Sequence, residues 1–363
     1  MKQLIMMLLF SSQLSYAGYL KPELLALSFS TRNYNLDQDT YCHLGTPMIF
    51  EGKTLINCQK DGNHELVLWD ENGQMSVLHS TKNFLSVPRF LDKTLTWYEY
   101  DIEGVTKVYQ WKDKELTELP IDTHVTAVTY LGSKWIYQSK ESIRVFDQGV
   151  FQAANIDNIS YVFSPSVSTK GEFAVKIRRE TLANSGPDEI WSYKDGEWIK
   201  VFADRDSNPQ SPWLSFNNSV TVGDGKVYVI AKDGSGEAIV EISNKGERVI
   251  VREGRDVKQF ESFNIAYNNG SLVFRAIDHQ NRKVIHVYDD KGLHRILTQG
   301  DTVHTPFGVT GEVDYPNEHS IIYNNPGIGE NGEVVIQATL KDYDDKKTLL
   351  GIGVISIKKD QLD

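Results

Sequence analysis

The sequence predicts an all-β fold, a seven-bladed β-propeller of four-stranded antiparallel blades, and three observations predict it. A turn running into a short apolar strand recurs along the chain at intervals of roughly 40 to 60 residues, the span of one four-stranded module. Each copy is followed by a second apolar segment that ends in a large hydrophobe and, in most copies, an Asp. Helical periodicity nowhere lasts longer than a turn or two, so strands must build the whole chain.

The clearest copy is Asn269-Gly270-Ser271-Leu272-Val273-Phe274. The others begin at Gly52, Asp92, Gly132, Gly171, Gly225 and Gly332. The companion segments include Leu66-Val67-Leu68-Trp69-Asp70, Val108-Tyr109-Gln110-Trp111, Ile143-Arg144-Val145-Phe146-Asp147, Ile190-Trp191-Ser192-Tyr193 and Ile285-His286-Val287-Tyr288-Asp289. Gly73, Gly149, Gly196, Gly246 and Gly292 then mark tight turns into a third strand, since Asp and Gly supply antiparallel turn chemistry. A less regular segment ahead of each Gly-led strand completes the blade. Aromatic residues at one repeated position, such as Trp69 and Tyr288, are expected to fill the space between sheets rather than to bind a ligand.

In chain order, residues 1–17 carry one charge, Lys2, then the apolar run 4–10 and Ser15-Tyr16-Ala17. This pattern predicts a signal peptide and a periplasmic or secreted location. No other stretch approaches the ~20 apolar residues of a transmembrane helix. Residues 18–363 are read as one propeller domain, with blades at about 44–81, 82–121, 122–157, 158–204, 205–254, 255–300 and 301–363. A formal charge of −11 argues against nucleic acid and anionic membranes as partners.

Cys42 and Cys58 are the two cysteines. A hairpin turning at Glu51-Gly52 would set them nearly opposite each other, and an exported chain meets oxidising conditions, so a disulfide is expected over two buried thiols. The last blade has no good outer strand, because residues 358–363 are mostly charged. The apolar segment 24–30 has no blade of its own, and it is expected to dock as that outer strand and close the ring.

Three insertions interrupt the repeat, at residues 178–188, 204–213 and 299–320, and should decorate one rim together with 252–258. Candidate binding residues there are Arg178, Arg179, Arg205, Asp206, Trp213, Arg255, Asp256, Asp301 and His304. Trp213 falls outside the repeat register and is the aromatic singled out for binding. The links share an Asp, at 122, 157, 206, 256 and 301, which either caps the turn or lines a cation-binding ring. Turn capping is preferred; no cofactor is assigned, and a structural cation stays as the alternative. Glu318 and His319 add titratable groups to the longest link, yet no metal or nucleophile motif is present.

The tandem copies, with Val251-Arg252-Glu253-Gly254-Arg255-Asp256 and Leu297-Thr298-Gln299-Gly300-Asp301, resemble the Asn-x-x-Gly-x-x-x-Phe repeats and Glu-Gly-Asp links of exported bacterial propellers. More loosely the unit is similar to TolB-like and WD-repeat propellers. The resemblance implies a fold and a binding platform and transfers no activity. The chain is therefore read as a monomeric, exported, non-catalytic binding or scaffold protein for a protein or peptide of the cell envelope. The alternative is a hydrolase or lyase acting on a glycan or peptide, using His304, Asp301 and Arg255 or Arg178.

Overall fold

The computed structural model describes residues 19–28, 34–36, 39–42, 45–70, 74–91, 93–120, 125–179, 187–261, 265–305, 308–314 and 322–359. The expected leader 1–17, residues 29–30 of the expected closing strand, Asp122, the 180–186 part of the first insertion, Glu318 and His319 lie outside the described residues. Among the described residues every regular element is a strand. Among these residues no helix is long and apolar enough to cross a membrane.

Six sheets of four or five strands, at residues 40–81, 84–119, 127–153, 159–203, 215–252 and 259–298, follow one another around a central axis. Within each, consecutive strands pair antiparallel from the inside outward, as in Ser215–Gly223, Lys226–Asp233, Gly236–Ser243 and Gly246–Arg252. Two-residue turns with both φ values positive close many of the hairpins, and Asn269 (φ 42) followed by Gly270 (φ 83) is one of them. This geometry matches the twist of the flanking strands, which is why Asn-Gly suits such a turn. In four of the six sheets the innermost strand is broken into two short pieces.

A separate hydrophobic cluster fills each seam between neighbouring sheets. Leu55, Leu66, Leu95 and Trp97 bind the first sheet to the second, and Val229, Val240 and Ala174 bind the fourth to the fifth. The repeated aromatics sit in these seams, Trp69 fully buried and Trp111, Phe146, Tyr193 and Tyr288 partly so. Seam filling is thus the role of that position.

The expectation of seven like blades is corrected by the closing sheet. Six sheets repeat the blade pattern; the last has six strands and is not a seventh copy. Its inner strand Ile322–Ile328 is followed by Val334–Asp342 and Leu349–Ile357, and the N-terminal strand Glu23–Ser28 pairs antiparallel with the last of these, Leu24 opposite Ile355. That strand is not the outer edge. Thr302–His304 lies beyond it in parallel, and Thr310–Val313 pairs with Thr302–His304 and again with Val334–Asp342. Five strands therefore curl into a small barrel.

The physical cause lies in the longest link, where Val303 and Val313 alternate with polar residues and behave as strand rather than loop. Leu24, Leu27, Val303, Val313 and Leu340 fill the barrel. A Cβ on Gly353 would lie 2.8 Å from Leu24 Cδ1 and 3.0 Å from Leu340 Cδ1, so a larger residue there would push these side-chain tips aside.

The disulfide Cys42–Cys58 is present. Thr40 and Tyr41 pair with Lys60 and Gln59, so the bridge joins adjacent strands just after the N-terminal strand has crossed into the first sheet. The Gln337 amide of the closing sheet donates to the Cys42 carbonyl. Bridge and hydrogen bond together pin the seam where the two chain ends meet.

Candidate functional site

The residues chosen from sequence are spread around the structure and spent on local contacts. Arg178 Nε lies 2.7 Å from Asp188 Oδ1 and its Nη2 lies 3.0 Å from Oδ2. The buried Lys176 reaches the same carboxylate at 3.0 Å. Arg179 binds Glu189 at 2.8 Å, and its guanidinium sits 5.4 Å over the Trp191 ring. Arg205 donates to the carbonyls of Ser211 and Pro212, folding its own link back on itself. Asp206 is exposed on the same link.

Trp213 is 3% exposed and belongs to the core cluster between the fourth and fifth sheets, with Nε1 3.1 Å from Glu247. It is a packing residue, displaced from the repeat register by the insertion that precedes it. Asp256 accepts the Arg252 amide at 2.8 Å and Asp301 accepts the Thr298 amide at 2.7 Å. Both carboxylates cap the turn that ends an outer strand. Arg255 pairs with Asp256, its own neighbour, which holds the guanidinium above its ordinary pKa.

His304 is on the parallel outer strand of the closing sheet, opposite Glu23. Strands of the small barrel separate it from the inner strand at the axis. Arg178, Arg255, Asp301 and His304 share no hydrogen bond. Among the described residues no group of three or more His, Cys, Asp or Glu gathers in a way that could hold a metal.

What the inner strands enclose is a central channel of about 180 Å³. Residues 46–49, 87–90, 164–169, 219–222, 265–268 and 325–328 line it, from five of the blades and the closing sheet. Among the described residues the third blade contributes nothing to this wall. Its turn at Ser133 and Lys134 opens instead on a side cleft with Tyr193 and Lys226. The wall alternates hydroxyls and amides (Thr46, Ser164, Thr169, Asn268) with Val and Pro faces.

Prolines 47, 88, 165 and 326 each enter an inner strand. Pro is tolerated there because an innermost edge has no outer neighbour waiting for its N–H. At the seam between the closing and first sheets the approach is so close that a Cβ on Gly327 would fall 2.2 Å from the Pro47 carbonyl oxygen.

Among the described residues one charge faces this lumen, that of Arg89. Arg89 pairs with Thr96 in the second blade and so shares a face with Tyr98, while Phe90 turns the other way to meet Phe50 at 5.6 Å. The residue is open to channel water, and desolvation by the wall around it lowers its pKa against a smaller opposing pull from Tyr98. The same desolvation raises the Tyr98 phenol to about 12.

At the end where inner strands turn into second strands the channel widens into a funnel of about 430 Å³, sharing Phe90, Ser168, Thr169, Tyr267 and Asn268 with the wall. Asp224 sits at its lip, bonded by Lys170 and by the Tyr267 hydroxyl, and these two bonds lower its pKa. Sequence reasoning passed over Arg89. The signal was available: after the prolines of four inner strands come Met48, Arg89, Ser166 and Gly327, and Arg is the one charged residue among them.

No family model and no curated protein matches the chain. Solved structures do. The β-propeller domain of the trilobed protease from Pyrococcus furiosus, described as having an open velcro topology, is 12% identical with a TM-score of 0.53 over 69% of this chain and 80% of that one. Two prolyl endopeptidases described together give 13% and 0.55 over 87% of this chain and 49% of that one. An acylaminoacyl peptidase from Pyrococcus horikoshii gives 12% and 0.52 over 84% and 51%. This chain thus spans about half the length of the two peptidase structures. At such identities the likeness establishes the propeller fold.

Proposed function

We propose that this chain is an exported, non-catalytic binding propeller for a protein or peptide partner of the cell envelope, and that the partner engages the central channel and its funnel. The observation that carries the reading is the contrast between rim and channel. The rim arginines and carboxylates neutralise one another, whereas the channel keeps polar groups and one guanidinium turned to solvent. Polar groups not already paired within the protein are the ones a ligand can satisfy on binding.

Export into an oxidising compartment is supported by the Cys42–Cys58 bridge and by the leader-like residues 1–17. Binding is favoured over the hydrolase or lyase reading because catalysis needs titratable groups within hydrogen-bond reach of one another. Asp301, His304 and Arg255 are held apart in local contacts.

The test is a pull-down from native envelope with the wild-type chain, Ser164→Trp and Arg255→Glu. Ser164 is exposed on the channel wall, so an indole there plugs the lumen without entering a core. A partner retained by Arg255→Glu and lost by Ser164→Trp is the expected result. The reverse pattern would move the binding surface to the rim.

A further inference from the structure

We propose that Arg89 is the anchor of a carboxylate-binding site in the central channel, and that the carboxylate it takes is the C-terminus of a peptide chain entering through the funnel. The proposal rests on the channel-binding reading above and names the ligand chemistry of that site.

The first argument is the state of the guanidinium. Every other described arginine engages a partner: Arg178, Arg252 and Arg282 hold carboxylates, Arg205 and Arg275 hold carbonyls, and the rest are likewise engaged. Among the described residues no acceptor reaches the Arg89 guanidinium, and no Asp or Glu lines the channel wall. A surface arginine can leave its donors to bulk water. Arg89 is exposed, but the water it meets is that of the lumen, so a ligand entering the channel meets a guanidinium whose donors are not already taken. In a chain of net charge −11 many carboxylates could have been placed beside it; none was.

The second argument is shape. A guanidinium presents a planar fork that matches a carboxylate with two parallel hydrogen bonds. The hydroxyls of Thr46, Ser164 and Thr169 lie in the same wall and can satisfy the remaining lone pairs. A lumen of about 180 Å³ compares with the ~150 Å³ that admits a single benzene ring. That is room for one terminal residue, not for a strand or helix passing through. The Val and Pro faces beside Arg89 suit an apolar last side chain, and the wider funnel holds the residues that precede it.

The test is equilibrium dialysis of the full chain against a pool of random hexapeptides with free C-terminal carboxylates and against the same pool amidated at the C-terminus. Wild type, Arg89→Met and Arg89→Lys are compared, with acetate and inorganic phosphate as competitors. Wild type is expected to retain the free-acid pool about tenfold or more above the amidated pool, the factor a charge-assisted hydrogen bond supplies. Arg89→Met should bring that ratio to about one, and Arg89→Lys should restore part of it. Thermal melts check that both variants fold, and Arg89→Met should melt no lower than wild type because it removes an unpaired charge.

Equal retention of acid and amide by wild type overturns the anchor and leaves the channel-binding reading standing. Retention of neither pool overturns both. Full displacement of the peptides by acetate or phosphate at equal concentration assigns the site to a small anion and overturns the chain-terminus assignment.

Discussion

Lys176 Nζ lies 3.0 Å from Asp188 Oδ2 at the seam between the fourth and fifth blades, with the lysine side chain fully withdrawn from solvent. The ammonium also touches the Phe216 carbonyl at 3.2 Å and sits 3.7 Å over the Phe163 ring. Burial lowers its pKa, and Asp188 opposes that shift. The two partners are not equivalent. Asp188→Ala leaves a buried lysine without its counter-charge and should cost about 3–5 kcal/mol. Lys176→Met keeps the volume, and Arg178 still neutralises Asp188, so it should cost about 1.5 kcal/mol or less. Denaturant unfolding measures both, and equal losses would contradict this account of the pair.

His286 lies nearly parallel to Phe274, ring centroids 5.6 Å apart, and its Nδ1 has no hydrogen-bond partner. Burial is the main reason its pKa falls to about 4, with Arg295 adding to the shift. The unfolded chain takes up a proton below about pH 6.5, while the folded chain does not until about pH 4. Between those values the unfolded state binds more protons, so stability is complete above pH 6.5, declines as pH falls toward 4, and is level below that. His286→Phe should flatten this part of the profile, a difference of about 3 kcal/mol across the window. Parallel slopes for wild type and variant would remove His286 as the cause.

The ends of the chain close the ring together, so their loss should be graded. Deleting residues 19–28 bares the strand Leu349–Ile357 and takes Leu24 and Leu27 out of the small barrel. No folded protein is expected. Cys58→Ser removes only the staple over a 16-residue separation and should cost about 3 kcal/mol in the chain-entropy model. Thermal melts with and without reductant distinguish the cases: wild type should drop on reduction and Cys58→Ser should not.

Trp213 and Arg255 are expected to separate packing from rim chemistry. Trp213→Ala opens a cavity in the seam cluster and should cost about 3–5 kcal/mol. Arg255→Ala removes an exposed pair with Asp256 and should leave the melting temperature unchanged. A stable Trp213→Ala that has lost its partner would restore Trp213 as a binding residue.

The repeat was legible because the same turn chemistry, Asn269-Gly270 or Glu51-Gly52, solves the same hairpin in each sheet. Cys42 and Cys58 were legible for a related reason, since the hairpin brings them close and the register of the short strand Thr40–Tyr41 then sets them opposite each other. The closing sheet was not. Residues 302–304 and 310–313 are too short to read as strands, and their pairing is decided by a distant N-terminal segment and by glycines 311 and 353, which leave space rather than signal. Length was mistaken for exposure at the rim, where charge density in fact marks pairs such as Arg178 with Asp188. Arg89 carried the opposite signature, one charge among small and apolar neighbours, and only the closed ring shows that it stands alone.

The central claim is that a partner enters the channel. It is tested most directly by a photo-crosslinking residue placed at Ser164 on the channel wall or at the exposed Asp206 on the rim, in the full chain within living cells. Covalent partner adducts from position 164 and none from 206 are predicted. Adducts from 206 with none from 164 would contradict the account.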